Sequence, residues 1–211
     1  MAAITISRQL GSQGRRIARE LAKKLDWQFT DKSSINKVIS KYGLIRLDEI
    51  YGDEPPRFRE LLQKDTMWTI TWMNKTIATL AATRDVVILG RGGFAVLEGY
   101  ADVLNVLVTA PLEDRIEFLA DRDGTSNADA RRRVESNDQA REVFVRRFYG
   151  SKWADESRYD LVINSSEMSE DEAIDTIIRK HAEHLASSKG KKVKGLGTDD
   201  VLLETIDEVL S

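Results

Sequence analysis

Five short apolar runs separated by helical patterns constrain this chain more than any other feature: Ala3 to Ile6, Trp27 to Thr30, Val86 to Leu89, Val103 to Val108 and Leu161 to Ile163. Each is β-branched or aromatic and nearly continuous in apolar residues, which suits a strand covered on both faces. Strand alternating with helix points to a parallel sheet, because parallel neighbours need a crossover between them. The expected fold class is therefore α/β, a three-layer domain around a parallel five-stranded sheet.

The helical stretches carry their own punctuation. After the first run, Ile17, Leu21 and Leu25 form one stripe, with Ala18 and Ala22 beside it. A long helical stretch runs from Pro55 to Arg84, where Trp68 and Trp72 read as packing residues and Ile77 and Leu80 follow them inward. Pro111 opens a helix that carries Leu112, Ile116 and Leu119 inward and stops at Gly124. Ser126 to Asp129 restarts an arginine-rich helix over 128–148, and Ser169-Glu170-Asp171-Glu172 is a capping box for the last core helix. There Ile174, Ile177 and Ile178 face the sheet, and His181 and His184 read as surface residues.

The core domain is expected over 1–186. Residues 187–197, SSKGKKVKGLG, are polar, basic and glycine-punctuated, the composition of a linker. Residues 198–211 follow as an amphipathic helix capped by Thr198, with Leu202, Ile206, Val209 and Leu210 on one stripe. So short a helix is marginal alone, so it should dock on its own core or mediate self-association.

Composition narrows the function. A chain of 211 residues supports one sizeable core. Its net charge of −3 argues against a protein that coats nucleic acid or anionic membrane, so affinity for anions must come from a site. The absence of cysteine excludes disulfides, thiolate metal centres and cysteine nucleophiles. With no leader pattern and no apolar stretch near the ~20 residues that span a bilayer, a cytoplasmic location is expected.

The stretch ITISRQLGSQGRRIARELAKKL, Ile4 to Leu25, leads a strand through a glycine-bearing turn into a helix. Such a turn aims backbone N–H groups and the positive end of the helix dipole at one point, where an anion fits. Gly11 and Gly14 allow close backbone approach, and Ser12 adds a hydroxyl. Against the pattern G-x-x-x-x-G-K-[ST], Arg8 replaces the first glycine, Gly14 the lysine and Arg15 the hydroxyl residue. The charge persists, because Arg8, Arg15 and Arg16 bracket the turn and a guanidinium grips phosphate oxygens bidentately. No metal ligand is assigned; Ser7 and Ser12 are the nearby hydroxyls.

Two further strand ends carry charge: Thr30-Asp31-Lys32 and Gly90-Arg91-Gly92-Gly93. Each alone is an ordinary strand-to-helix turn. Together with the first loop they open on one edge, where open α/β sheets bind ligands. On the arginine-rich helix, Asp138 and Arg141 are neighbours on one face, either as a structural ion pair or as a substrate contact. Arg115, Arg122, Arg141, Arg146 and Arg147 are candidates to line a lid, whereas Arg131-Arg132-Arg133 reads as a solvated face.

ITISRQLGSQGRRIARELAKKLDWQFTDK, then VVILGRGG, then DQAREVFVRRFYGSKWADESRYDLVIN resemble, in order and spacing, the cytidylate kinase-like branch of the P-loop nucleoside monophosphate kinases. The resemblance covers about Ile4 to Ala186. That branch commonly carries glycine-arginine where the bacterial cytidylate kinases carry glycine-lysine. The resemblance implies a P-loop NTPase fold with a helical monophosphate-binding insertion and a short lid, and transfer of the ATP γ-phosphoryl group to a nucleoside monophosphate, CMP or dCMP first, with Mg2+. It implies Gly11 to Arg16 on the ATP phosphates, Asp31, Lys32 and Arg91 on the acceptor side, Asp138 and Arg141 on the acceptor's base or sugar, and Arg15, Arg115, Arg122 and Arg146 as catalytic or lid arginines. Two departures stand against it: Gln13 where the branch usually has glycine, and no magnesium hydroxyl in register. A nucleotide-binding module without turnover and a kinase of another small acceptor are therefore the competing readings.

Overall fold

In the computed structural model, which describes residues 1–44 and 64–210, all five apolar runs are strands: β1 (Ala3–Arg8), β2 (Gln28–Thr30), β3 (Val86–Leu89), β4 (Val103–Thr109) and β5 (Leu161–Asn164). They form one parallel sheet in the order β2-β3-β1-β4-β5. Helices α1 (Gly14–Leu25), α2 (Lys32–Ser40), α3 (Lys64–Thr83), α4 (Gly93–Val96), α5 (Leu112–Asp123), α6 (Asn127–Tyr149), α7 (Glu170–Ser187) and α8 (Asp200–Leu210) fill the connections and the C-terminus.

The strand alternation sorts the core into two layers. Ile4 and Ile6 of β1 join Val87, Leu89, Leu104 and Val106 beneath α1 and α7. Ala3, Val86, Ile88, Val103 and Leu107 face the other way, against α2, α3 and the end of α6. Alternate side chains point to opposite faces, so continuous apolarity is what two covered faces require. A third cluster packs α5 on α6 through Ile116, Leu119, Ala130 and Val134, with Leu10 of the loop against it.

The expected caps are present at three helix ends, and a fourth end carries a cap that was not expected. Gly124 ends α5 at φ 63, Ser126 accepts from the Asp129 N–H at the start of α6, and the Ser169/Glu172 capping box is formed reciprocally. Asp31 caps α2, accepting from the Ser33 N–H at 2.8 Å and the Ser34 N–H at 3.4 Å.

Four readings are corrected. His181 is buried, its ring edge-on to Trp27 at 5.2 Å, because α7 turns it toward the start of β2. Trp68 is exposed; Trp72 makes the packing contact, stacked on Tyr42 at 4.4 Å. Asp199 rather than Thr198 caps α8, its carboxylate accepting from the Leu202 N–H at 3.1 Å. Residues 187–197 do not read as a loose tether: Val193 is fully buried and its N–H donates to Asp102 Oδ1 at 2.9 Å. The Pro55–Gln63 part of the expected long helix lies outside the described residues.

α8 docks on its own chain. Leu202 and Ile206 are buried with Val38 of α2 and Leu80 of α3, so the stripe that suggested self-association is largely covered internally. Among the described residues no helix is long and apolar enough to cross a membrane.

Candidate active site

Because the sheet is parallel, the carboxyl ends of all five strands open on one edge, and a cleft of about 1060 Å³ lies over those of β1, β2 and β3. β1 occupies the centre of the sheet, and its outgoing loop, 9–13, forms the floor. That loop is rigidly built. Gln9 donates its N–H to the Val108 carbonyl at 3.0 Å, and its side chain accepts from the Ala110 N–H at 3.0 Å.

Gly11 and Gly14 are dictated by neighbours. At Gly11, φ is +89 and an added Cβ would stand 2.6 Å from the Arg115 carbonyl oxygen; at Gly14 it would stand 2.6 Å from Arg8 Cβ. Among the described residues, the backbone N–H groups of Gln13, Gly14 and Arg15 are taken by no backbone carbonyl, as the first turn of a helix requires, and neither is that of Gly11 in the loop before it. All four residues line the cleft, which makes the turn a cradle suited to an anion.

The two departures from the glycine-lysine pattern now have geometry. Gln13 is the N-cap of α1 at φ 57, a left-handed conformation that costs a non-glycine residue about 1–2 kcal/mol. Glycine would be unstrained there. The Ser12 hydroxyl lies 2.9 Å from the Gln9 carbonyl and 3.1 Å from the Val108 carbonyl and is fully buried, so it locks the loop to β4 and does not face the cleft.

Arginines surround the cradle. Arg8 extends across the loop to lie against Gly90, tying the first strand end to the third. Arg15 reaches Asp31 at 2.8 Å, and Arg16 pairs with Glu170. On the opposite wall Arg91 takes φ 56 between two glycines. The Tyr149 hydroxyl, 2.9 Å from Asn74 Oδ1 and 3.4 Å from the Arg91 carbonyl, braces that turn against α3 and α6. Burial raises the Tyr149 pKa, which keeps it a neutral donor.

Of the residues singled out from sequence, Arg8, Gly11, Gln13, Gly14, Arg15, Arg16, Lys32, Arg91, Arg122 and Arg141 line the cleft. Asp31 adjoins it through Arg15. Arg115 does not line it: its guanidinium is buried, donating to Asp138 Oδ2 at 2.8 Å and toward the Leu10 carbonyl at 3.4 Å. Asp138 thus holds Arg115 on one side and lies 3.8 Å from Arg141 on the other, which supports the ion-pair alternative for Asp138. Arg146 is exposed and paired with Glu142, away from the cleft. Arg141 stacks over Trp153 at 5.7 Å, and the Trp153 carbonyl accepts from the Tyr159 hydroxyl at 2.8 Å. Burial pushes that phenol up to about 12.

Sequence reasoning missed Arg19, Phe118, Arg133 and Asn137, which also line the cleft. The signal for two of them was spacing: 133, 137 and 141 are successive i, i+4 positions on one face of α6. Arg131 pairs with Glu113 and Arg132 with Asp129 on the solvent side, as expected. Arg133 instead joins Arg122 on Asp123, and hydrogen bonds from both guanidiniums hold that carboxyl below the usual carboxylate range.

The outcome is a strongly cationic cleft. Nine arginines and lysines line it against two carboxylates, Glu20 and Asp121, in a chain of net charge −3. Such walls concentrate polyanions.

A glycine-bearing loop after the central strand, helices on both faces of a parallel sheet and a helical pair over the cleft define a P-loop kinase fold. Solved structures agree: a shikimate kinase from Bacteroides thetaiotaomicron superposes with a TM-score of 0.51 at 14% identity, covering 88% of this chain and 98% of that one. An uncharacterized protein from Eubacterium ventriosum superposes with a TM-score of 0.69 at 21% identity, covering 89% and 99%. The chain belongs to the cytidylate kinase-like family, whose pattern matches residues 3–167. It is similar to a cytidylate kinase of Ignicoccus hospitalis, 30% identical over 180 residues that cover 85% of this chain and 98% of the relative.

Proposed function

We propose that this protein transfers the γ-phosphoryl group of ATP to a nucleoside monophosphate, with CMP or dCMP as acceptor. The observation that carries this is the convergence of nine cationic side chains on a backbone anion cradle. An acceptor phosphate oxygen bonds to the γ-phosphorus as the bond to the bridging β–γ oxygen breaks, and ADP leaves with that electron pair. The acceptor is already anionic, so no side-chain nucleophile is needed. What the protein must supply is alignment and neutralisation of spread charge.

In this reading Gly11, Gln13, Gly14 and Arg15 cradle the donor phosphates with Arg8 and Arg16 beside them. Lys32, Arg91 and Arg141 receive the acceptor. Arg122 and Arg133 close from the helical pair, and Arg115 and Asp138 position the loop and Arg141. Mg2+ would be carried here on the nucleotide phosphates, whose charge it would neutralise, with Glu20 and Asp121 as the carboxylates that line the cleft. Among the described residues no three His, Asp or Glu side chains gather as a metal cage.

The Ser12 geometry favours one rival, a nucleotide-binding module without turnover, because the loop hydroxyl is engaged by backbone carbonyls. Chromatographic detection of diphosphates after incubation with Mg-ATP and, separately, CMP, dCMP, UMP, AMP and GMP decides between them. The proposal expects CDP and dCDP selectively. Nucleotide binding without any diphosphate would establish the rival, and a different product would reassign the acceptor.

A further inference from the structure

α8 lies beyond the residues that match the family, yet it contacts the helix that leads from the cleft. α2 is nine residues long, too short to hold its own place in water. One end carries Asp31, its N-cap, and Lys32, which lines the cleft. Toward the other end Val38 is buried in a cluster whose remaining buried members are Leu80, Leu202 and Ile206, two of them from α8. Just past α2, Lys41 pairs with Glu208 at 2.7 Å, and the Tyr42 hydroxyl lies 3.1 Å from Thr205 Oγ1. On the α3 side Arg84 pairs with Asp207 at 2.6 Å.

We propose that α8 is a positioning element for the cleft: by clamping the C-terminal half of α2 onto α3, it sets where Asp31 and Lys32 stand. α2 is a single rigid rod about 14 Å long, so a tilt at Val38 is transmitted to its first turn. That turn holds Arg15 through Asp31, so the clamp acts on both sides of the cleft. Leu202, Ile206 and Thr205 touch no cleft residue and act through α2. The kinetic half of this inference rests on the function proposed above.

The test uses the full chain carrying Leu202→Ala and Ile206→Ala, read by amide hydrogen exchange and by steady-state kinetics. Exchange should accelerate at least tenfold in α8 and at the Ser33 and Ser34 amides, which donate to Asp31, while α1 and α7 keep wild-type protection. With CMP as acceptor, its KM should rise at least tenfold and the KM for ATP should stay within twofold. Undocked α8 with Ser33 and Ser34 protected as in wild type would overturn the proposal, and so would acceleration spread evenly over all helices. The exchange readout needs no nucleotide, so it decides the clamp even where CMP is not turned over. Should the double variant not fold, Glu208→Lys should give a smaller acceleration at the same amides, reversed by adding Lys41→Glu; absence of that reversal would count equally against the clamp.

Discussion

The Arg15 guanidinium meets the Asp31 carboxylate at 2.8 Å, joining the first turn of the phosphate-loop helix to the N-cap of α2. One carboxylate therefore does two things: it closes a helix end and holds the arginine that replaces the usual loop hydroxyl. Asp31→Asn keeps an oxygen for the Ser33 and Ser34 amides, so it should cost less than about 1 kcal/mol in urea unfolding. Asp31→Ala should lose roughly 1 kcal/mol as the cap disappears. Under the proposed reaction both should lower kcat/KM for the acceptor at least tenfold, because both release Arg15.

Gly11 has no tolerance for a side chain. Its φ is left-handed, and the Arg115 backbone stands where a Cβ would go. Gly11→Ala should lose roughly 2–4 kcal/mol of stability, from conformational strain added to overpacking. Urea midpoints measure this. A variant as stable as wild type would show that the loop does not rest on α5 as described.

His181 makes the stability depend on pH. Burial lowers its pKa below the ordinary 6.5, with the nearby His184 acting in the same direction. The unfolded chain then binds a proton that the folded chain refuses, so stability is full above about pH 6.5 and falls as pH drops through the folded value. Replacing His181 with Phe should flatten the unfolding free energy between pH 7 and 5. An unchanged slope would place the titrating group elsewhere.

Much of the fold was legible because the sheet is buried on both faces, which writes each strand as an uninterrupted apolar run. Helix ends at Gly124, Ser126 and Ser169 were legible because caps are local chemistry. Three misses share a cause, since each depended on a distant partner. Val193 reads as linker until Asp102 is known to take its N–H. Ser12 reads as a phosphate donor until Val108 supplies a carbonyl. Arg115 reads as a lid arginine until Asp138, 23 residues away, draws it inward. Arg133 was hidden in a run of three arginines of which two face solvent, and only the 3.6-residue period separates it from them.

The central claim is that an arginine-lined loop without its lysine transfers phosphate. It is tested most directly by kcat for wild type and Arg15→Ala with Mg-ATP and saturating CMP, alongside their urea midpoints. The account predicts CDP and ADP in equal amounts from wild type, and a fall of at least a hundredfold in kcat for Arg15→Ala with stability changed by about 1 kcal/mol or less, because the guanidinium lost is itself mostly exposed. Equal kcat in the two proteins, or no CDP from wild type that binds ATP, would contradict it.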